Sequence, residues 1–425
     1  MASTAAVPLL AGIGVSGLRQ WAGYIAEEMN PALKGRRRIN TYKSMMREPL
    51  IAASMLGTEL LMRQVPLTFT PADETPAAIE AADWLKGAML DDMVTPWPET
   101  LAEILTMREY GWSTLNVIYK RRQGNKRDAY AASRFTDGAY GWAAWEPRSQ
   151  DSLERWLFDE QQRATGFVQQ PDTGGTFTIP LEACVHFRLG QAKGNPEGIS
   201  LLNNVWEPWY DKKQIRAFQN IGIERDLVGY PVLYVPREIC EASDPAMVAL
   251  RQGYERMIQR IRRNEDEGGI LPAFYDDRGN PSYKLELLQS GGQRQFDLPA
   301  IIQQLNLEML IALFTDMLLM GHERVGTLSL SDNKTALLGY ALSSIMDSIC
   351  AVLNRQAVTP LWRLNGFAPE VQPVVGHDDI ENTDVTQMSQ FIAAASGSGL
   401  NVLDYEDEIW RRAGFTPAPA EEQTA

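Results

Sequence analysis

The side chains best suited to hold a metal or attack a substrate are three histidines and three cysteines in 425 residues. They do not pair. His186 sits in an apolar run, His322 among glycines and small polar residues, and His377 in a polar stretch. No His-x-x-x-His or Cys-x-x-Cys spacing occurs, so no metal centre is expected. Cys184, Cys240 and Cys350 fit a reducing compartment better than a disulfide framework. The loop from Gly190 to Gly198 lacks the Gly-x-x-x-x-Gly-Lys-Ser/Thr pattern that wraps phosphates, and Gly-x-Ser-x-Gly is missing; the near miss at Gly397 and Gly399 leads into no strained turn. No cofactor is therefore expected. The acid pairs Asp91-Asp92 and Asp378-Asp379 fall where turns are expected, and solvated turn residues are commoner than general acids. An α+β hydrolase using His186 with a carboxylate is the enzymatic alternative, and no motif supports it.

Such sparse chemistry shifts attention to the elements, which centre on Phe296 to Leu364. Asp297 suits an N-cap and Pro299 a first helical turn. Leu298, Ile301, Ile302, Leu305, Met309, Leu310, Leu313, Phe314 and Met317 then recur at helical spacing, predicting a helix to Met320, about 35 Å long. Its last two turns are apolar almost all round, so more than one neighbour must cover them. The run 321–335, rich in Gly and small polar residues, reads as a loop, and a second long helix follows with Leu338, Leu342, Ile345, Ile349 and Leu353 on one face. Upstream, helices are expected over 42–64, 76–93 and 100–111, with strands at 67–71, 115–120 and 184–188 and aromatic-rich pieces between. A helix from Ser200 to about Asp226 carries Trp206 and Trp209, which suit buried or interface packing better than a ligand platform. Strand 230–236, a charged helix 244–264 and a hairpin pairing 268–275 with 283–288 complete a small unit inserted between long helices. Two helices are expected at 386–396 and 405–413, before a polar tail.

Apolar content is ordinary and only 22% of residues are charged, so a real core can form. The net charge of −14 speaks against a protein that grips nucleic acid, though an acidic wall lets a polyanion slide. The basic run Lys34-Gly35-Arg36-Arg37-Arg38 reads as a solvated patch, with contact to nucleic acid or an acidic neighbour as the sharper option. The segment from Ala5 to Leu18 is mildly apolar but has no preceding Lys or Arg, so residues 1–40 read as an arm rather than a signal sequence. The stretch Leu305 to Met320 is too short and too polar to span a bilayer.

Taken in order, these pieces resemble a tailed-bacteriophage portal protein, most like those of Mu-type phages. The resemblance rests on four stretches: Tyr42-x-x-Met45-x-x-Glu48-Pro49-x-Ile51; Tyr110-Gly111-Trp112-Ser113-x-x-Asn116; His186-Phe187 with Gly194-Asn195-Pro196-Glu197-Gly198-Ile199-Ser200 and Gly229-Tyr230-Pro231-Val232-Leu233; and the helix pair after Gly399-Leu400. Glu48 and Asn116 depart from the family's commoner Asp and Glu. The resemblance implies a mainly helical α+β subunit of a ring, usually of twelve, at one capsid vertex. It divides the chain into an arm (1–40), wing (41–190), first stem helix (196–228), clip (229–290), second stem helix (297–320), tunnel loop (321–335), long wing and tunnel helix (336–365), crown (366–415) and disordered tail (416–425). Double-stranded DNA would pass through the ring, and Arg324, Ser329, Ser331, Asp332, Asn333 and Lys334 are the expected DNA-facing residues. Arg260, Arg262 and Arg263 are expected on the clip, facing the terminase large subunit. Major capsid protein and a head–tail connector are further expected partners, with no catalysis and no membrane. The expected location is the virion, with assembly in the host cytoplasm. Another ring-forming head–tail adaptor is the alternative reading within structural proteins.

Overall fold

The computed structural model describes residues 14–190, 192–228, 230–241, 243–262, 275, 283–288, 297–316 and 328–380. The chain divides into two units: residues 1–204 together with 310–425, and an inserted unit, 205–309. The fold is mixed α and β, as the residue patterns predict.

The first unit opens with strands β1 (Gln20–Trp21) and β2 (Tyr24–Ile25), then helices α1 (Gly35–Met45) and α2 (Pro49–Arg63). Residues 14–40 are ordered, and the β1–β2 turn docks on a later strand: Trp156 N donates to Gly23 O at 3.0 Å. Strand β3 (Leu67–Thr70), helices α3 (Pro76–Lys86), α4 (Trp97–Leu105) and α5 (Met107–Tyr110), and strands β4 (Trp112–Arg121) and β5 (Tyr140–Pro147) follow. Strands β6 (Leu153–Phe158), β7 (Ala164–Gln169), β8 (Phe177–Pro180) and β9 (Cys184–Arg188) complete the β region. They form two antiparallel three-stranded sheets, ordered β5-β4-β9 and β6-β7-β8. The sheet β5-β4-β9 is packed on both faces, so its strands read as near-continuous apolar runs. Leu115, Trp142, Trp145, Val185 and Phe187 enter the main core with Leu101, Ile104 and Leu105 of α4, while Trp112, Trp156, Phe167 and Ile179 make a second one.

The second half of the first unit carries α10 (Leu328–Leu353), a π-turn at Asn354–Val358, α11 (Thr359–Asn365) and β12 (Val374–His377). Helix α10 packs against β9, β12 and α2 and buries Leu338, Leu342, Met346, Ile349 and Leu353 in the main core. Residues 336–365 are long and apolar enough to cross a membrane by length and composition alone. That apolarity has a core to fill here. Strand β12, for which the sequence predicts no strand, pairs antiparallel with β3, Val375 opposite Phe69. The π-turn inserts into what the sequence pattern reads as one continuous helix, and its extra residue frees side chains for docking. Asn354 Nδ2 donates to Val375 O (2.8 Å) and Val375 N donates back to Asn354 Oδ1 (2.9 Å).

In the inserted unit, α6 (Trp206–Val228) leads to β10 (Tyr230–Tyr234), α7 (Arg237–Cys240), α8 (Pro245–Arg262) and β11 (Lys284–Leu288). Strand β11 pairs with β10, Val232 opposite Glu286, where a local hairpin with 268–275 is the sequence expectation; most of 268–280 lies outside the described residues. Trp206 stacks on Tyr210 one turn away, rings 5.1 Å apart, so its face is taken by its own helix. Helix α9 (Leu298–Ala312) starts where expected, with Asp297 Oδ1 accepting from Ala300 N, but stops eight residues before Met320.

Candidate functional site

Three of the four motif stretches converge in the first unit. Gly111, ending α5 at φ +90°, and Gly198, at φ +56°, meet back to back: a Cβ on Gly111 would lie 2.4 Å from Glu197 O, and one on Gly198 2.3 Å from Gly111 O. Only glycine fits at both positions, on conformation and on space. The approach lets Leu189 N donate to Gly111 O (2.9 Å), Ile199 N to Leu189 O (2.7 Å), and Ser200 Oγ to Glu109 O (2.5 Å).

Around this crossing the loop 194–200 is tied from every side. Glu197 pairs with Arg38 and accepts from Trp156 Nε1 at 3.0 Å, both partners largely out of water. Tyr42 Oη donates to Asn203 Oδ1 at 2.5 Å, and burial pushes its hydroxyl up to about 12. His186 Nε2 lies 2.8 Å from Pro196 O, and since a carbonyl only accepts, that nitrogen carries the proton. Its Nδ1 then accepts from Thr114 Oγ1 at 2.6 Å, and its backbone N–H donates to Gln356 of the π-turn at 2.8 Å. Burial drives the imidazole down to about 3, so it stays neutral. Both ring nitrogens are committed to the fold, and neither bonds a carboxylate as the hydrolase reading requires.

The basic run opens α1: Lys34, Arg36 and Arg37 are exposed, as a solvated patch requires, with Arg36 facing Glu154 at 3.6 Å, while Arg38 turns inward to the acidic Glu197. Asp92, expected as a solvated turn residue, is buried. It accepts from Ser133 Oγ and Arg134 N at 2.9 Å, faces Lys120 at 3.4 Å and Arg122 at 3.9 Å, and Arg122 is held between Trp84 and Phe135. That acid's partners lie some 30 to 40 residues away in sequence, beyond the reach of local pattern. No group of three or more His, Cys, Asp or Glu among the described residues could hold a metal.

The expected DNA-facing residues fall differently. Arg324 lies outside the described residues, as does Arg263 of the expected clip set. Ser329, Ser331, Asp332, Asn333 and Lys334 lie on the first two turns of α10 instead of in a loop. Short polar residues read as loop punctuation, yet each costs a helix only a few tenths of a kcal/mol. Arg260 and Arg262 lie on the last turn of α8.

A family model described as the portal protein of Mu bacteriophage matches residues 39–414. Curated protein sequences gave no match. Among solved structures, a chain in the neck of an empty GTA particle, computed with C6 symmetry, superposes with a TM-score of 0.52 at 12% identity, covering 89% of this chain and 94% of that one. A chain in the virion of a native gene transfer agent particle gives 0.51 at 11% identity with the same coverage. An HK97-family phage portal protein from Corynebacterium diphtheriae, 12% identical over 79% of this chain and 94% of its own, gives 0.40, too low to carry an argument. At such identities the first two likenesses speak to fold alone.

Proposed function

Because the chain belongs to the family of Mu-bacteriophage portal proteins, a ring-forming part of the virion, we propose that double-stranded DNA passes through its ring at one capsid vertex during packaging and ejection. The observation that carries this reading is the family match from residue 39 to residue 414, which spans both structural units. The proposed mechanism is passive. An external ATP-driven terminase pumps, and the acidic ring guides without gripping, since a wall of like charge keeps phosphates from binding tightly. The terminase large subunit, major capsid protein and a head–tail connector are the proposed partners, and the host cytoplasm the place of assembly.

Arg324, Ser329, Ser331, Asp332, Asn333 and Lys334 remain the proposed DNA-facing set, with Arg260, Arg262 and Arg263 facing terminase. The exposed stripe of α10 runs through Leu337, Tyr340, Ser344 and Asp347. Negative-stain electron microscopy with native mass tests the ring: annular particles support it, and a chain that stays monomeric even with its capsid partners overturns it. Reversing the charge of Arg324 and Lys334 together should reduce DNA packaging; unaltered packaging would sink the tunnel assignment.

A further inference from the structure

Two side-chain ties hold β12 to the stretch from α10 into the π-turn, and they differ in kind. Asn354 holds Val375 through amide groups that do not change with pH. About two turns earlier on α10, Asp347 meets His377 at the end of the strand. The His377 side chain is only 6% exposed, whereas that of Asp347 is 77% exposed. In His377, Nδ1 lies 2.7 Å from Asp378 O and Nε2 lies 3.2 Å from Asp347 Oδ1. A carbonyl only accepts, and so does an ionised carboxylate, so each ring nitrogen must bring a proton. Neutral imidazole carries one N–H; only imidazolium carries two. His186 makes the contrast, since its Nδ1 meets the Thr114 hydroxyl, which can donate.

The charges near His377 in chain and fold are acidic. Asp347 is the only charged residue between Thr335 and Leu353, and Asp378 and Asp379 follow His377 directly. Strand β3, which pairs with β12, has no charged residue, and Arg63 at the end of α2 pairs with Glu59 at 3.3 Å. We propose that His377 is a proton-operated clasp. Protonated, it ties the end of β12 to α10 through Asp347; neutral, it keeps its bond to Asp378 O and releases the exposed carboxylate to water. Histidine is the side chain whose ordinary change of charge falls between about pH 5 and 8, so the clasp works near neutrality. How firmly α10 holds the strand end, from which the chain runs on past residue 380, is then set by pH. Both residues belong to the first unit, so the inference does not depend on a ring.

Hydrogen exchange of the full chain tests this at about pH 5.5 and about pH 8, with the intrinsic pH dependence of exchange divided out. The reporter is the Asp378 amide, which donates to Pro66 O at 3.1 Å beside the clasp. At the lower pH it should open up to about fivefold less often in the wild type than in Asp347→Ala, the size an exposed ion pair supports. At the higher pH the two should match. Asp347→Asn should be protected at both, because its amide can donate to the neutral ring. Asp347 faces water, so neither change threatens the fold, and the pH response of His186 is common to all three chains. A wild type that matches Asp347→Ala at the lower pH would overturn the proposal. So would an equal advantage over Asp347→Ala at both pH values, which would mean a contact that no proton controls.

Discussion

His186 holds together two segments that nothing local in the sequence joins. Through Nε2 it fixes the loop at Pro196, and through its backbone it fixes the π-turn at Gln356. The sequence marks it as a histidine in an apolar strand, but its two partners come from elsewhere in the chain, so its role was not legible. Glu197 was legible only as part of a motif, since its Arg38 lies 159 positions away. The neutral imidazole has a consequence for pH. Folding lowers its pKa from 6.5 to about 3, so below 6.5 the unfolded chain takes up a proton that the native state refuses. The stability this contributes is complete above pH 6.5 and drains as pH falls toward 3, by about 1.4 kcal/mol per pH unit. Urea unfolding midpoints measured across that window should fall more steeply for the wild type than for His186→Gln. Parallel slopes would show that His186 is not held neutral.

Long amphipathic helices were the legible part of the architecture, since their burial repeats within the window that sequence reading inspects. Leu338, Leu342, Ile349 and Leu353 fall on the buried side of α10 as their spacing predicts, although partly buried Ile345 lies at that core's margin. The β3–β12 pairing and the π-turn were not legible, because each depends on a partner hundreds of residues away or on one inserted residue with no compositional mark. The early end of α9 was hidden for a further reason: its stop uses Phe314, left-handed at φ +58°, where the signal would be glycine. Asn354 is the part of the π-turn open to direct trial. Asn354→Leu would orphan the N–H and C=O of Val375, costing about 2 kcal/mol. Hydrogen exchange should then accelerate at Val375 and its β3 partners while β4 and β9 stay protected; unchanged protection at Val375 would refute the clamp.

Acidity is the property that matters most once subunits meet. Each brings −14, so ring closure works against like-charge repulsion that salt screens over about 10 Å at 0.1 M. Raising ionic strength from about 0.05 to 0.2 M should lower the protein concentration at which rings form. Sedimentation in a salt series reads this directly, and rings that dissociate as salt rises would mean that ion pairs, rather than apolar contacts, dominate the interface. The converging loop and the β3–β12 pair also set a schedule for the newborn chain. Arg38 and Tyr42 wait for Glu197 and Asn203, and Leu67 to Thr70 wait for Val374 to His377. A ribosome adding about 5–20 residues per second needs roughly ten to thirty seconds between those two events. Until the second, the first unit lacks a strand and the π-turn lacks its clasp, so a subunit still on the ribosome is not yet finished. The crossing at Gly111 and Gly198 can therefore set while the chain is half made, whereas the β3–β12 pair closes the first unit only after residue 377 has been added.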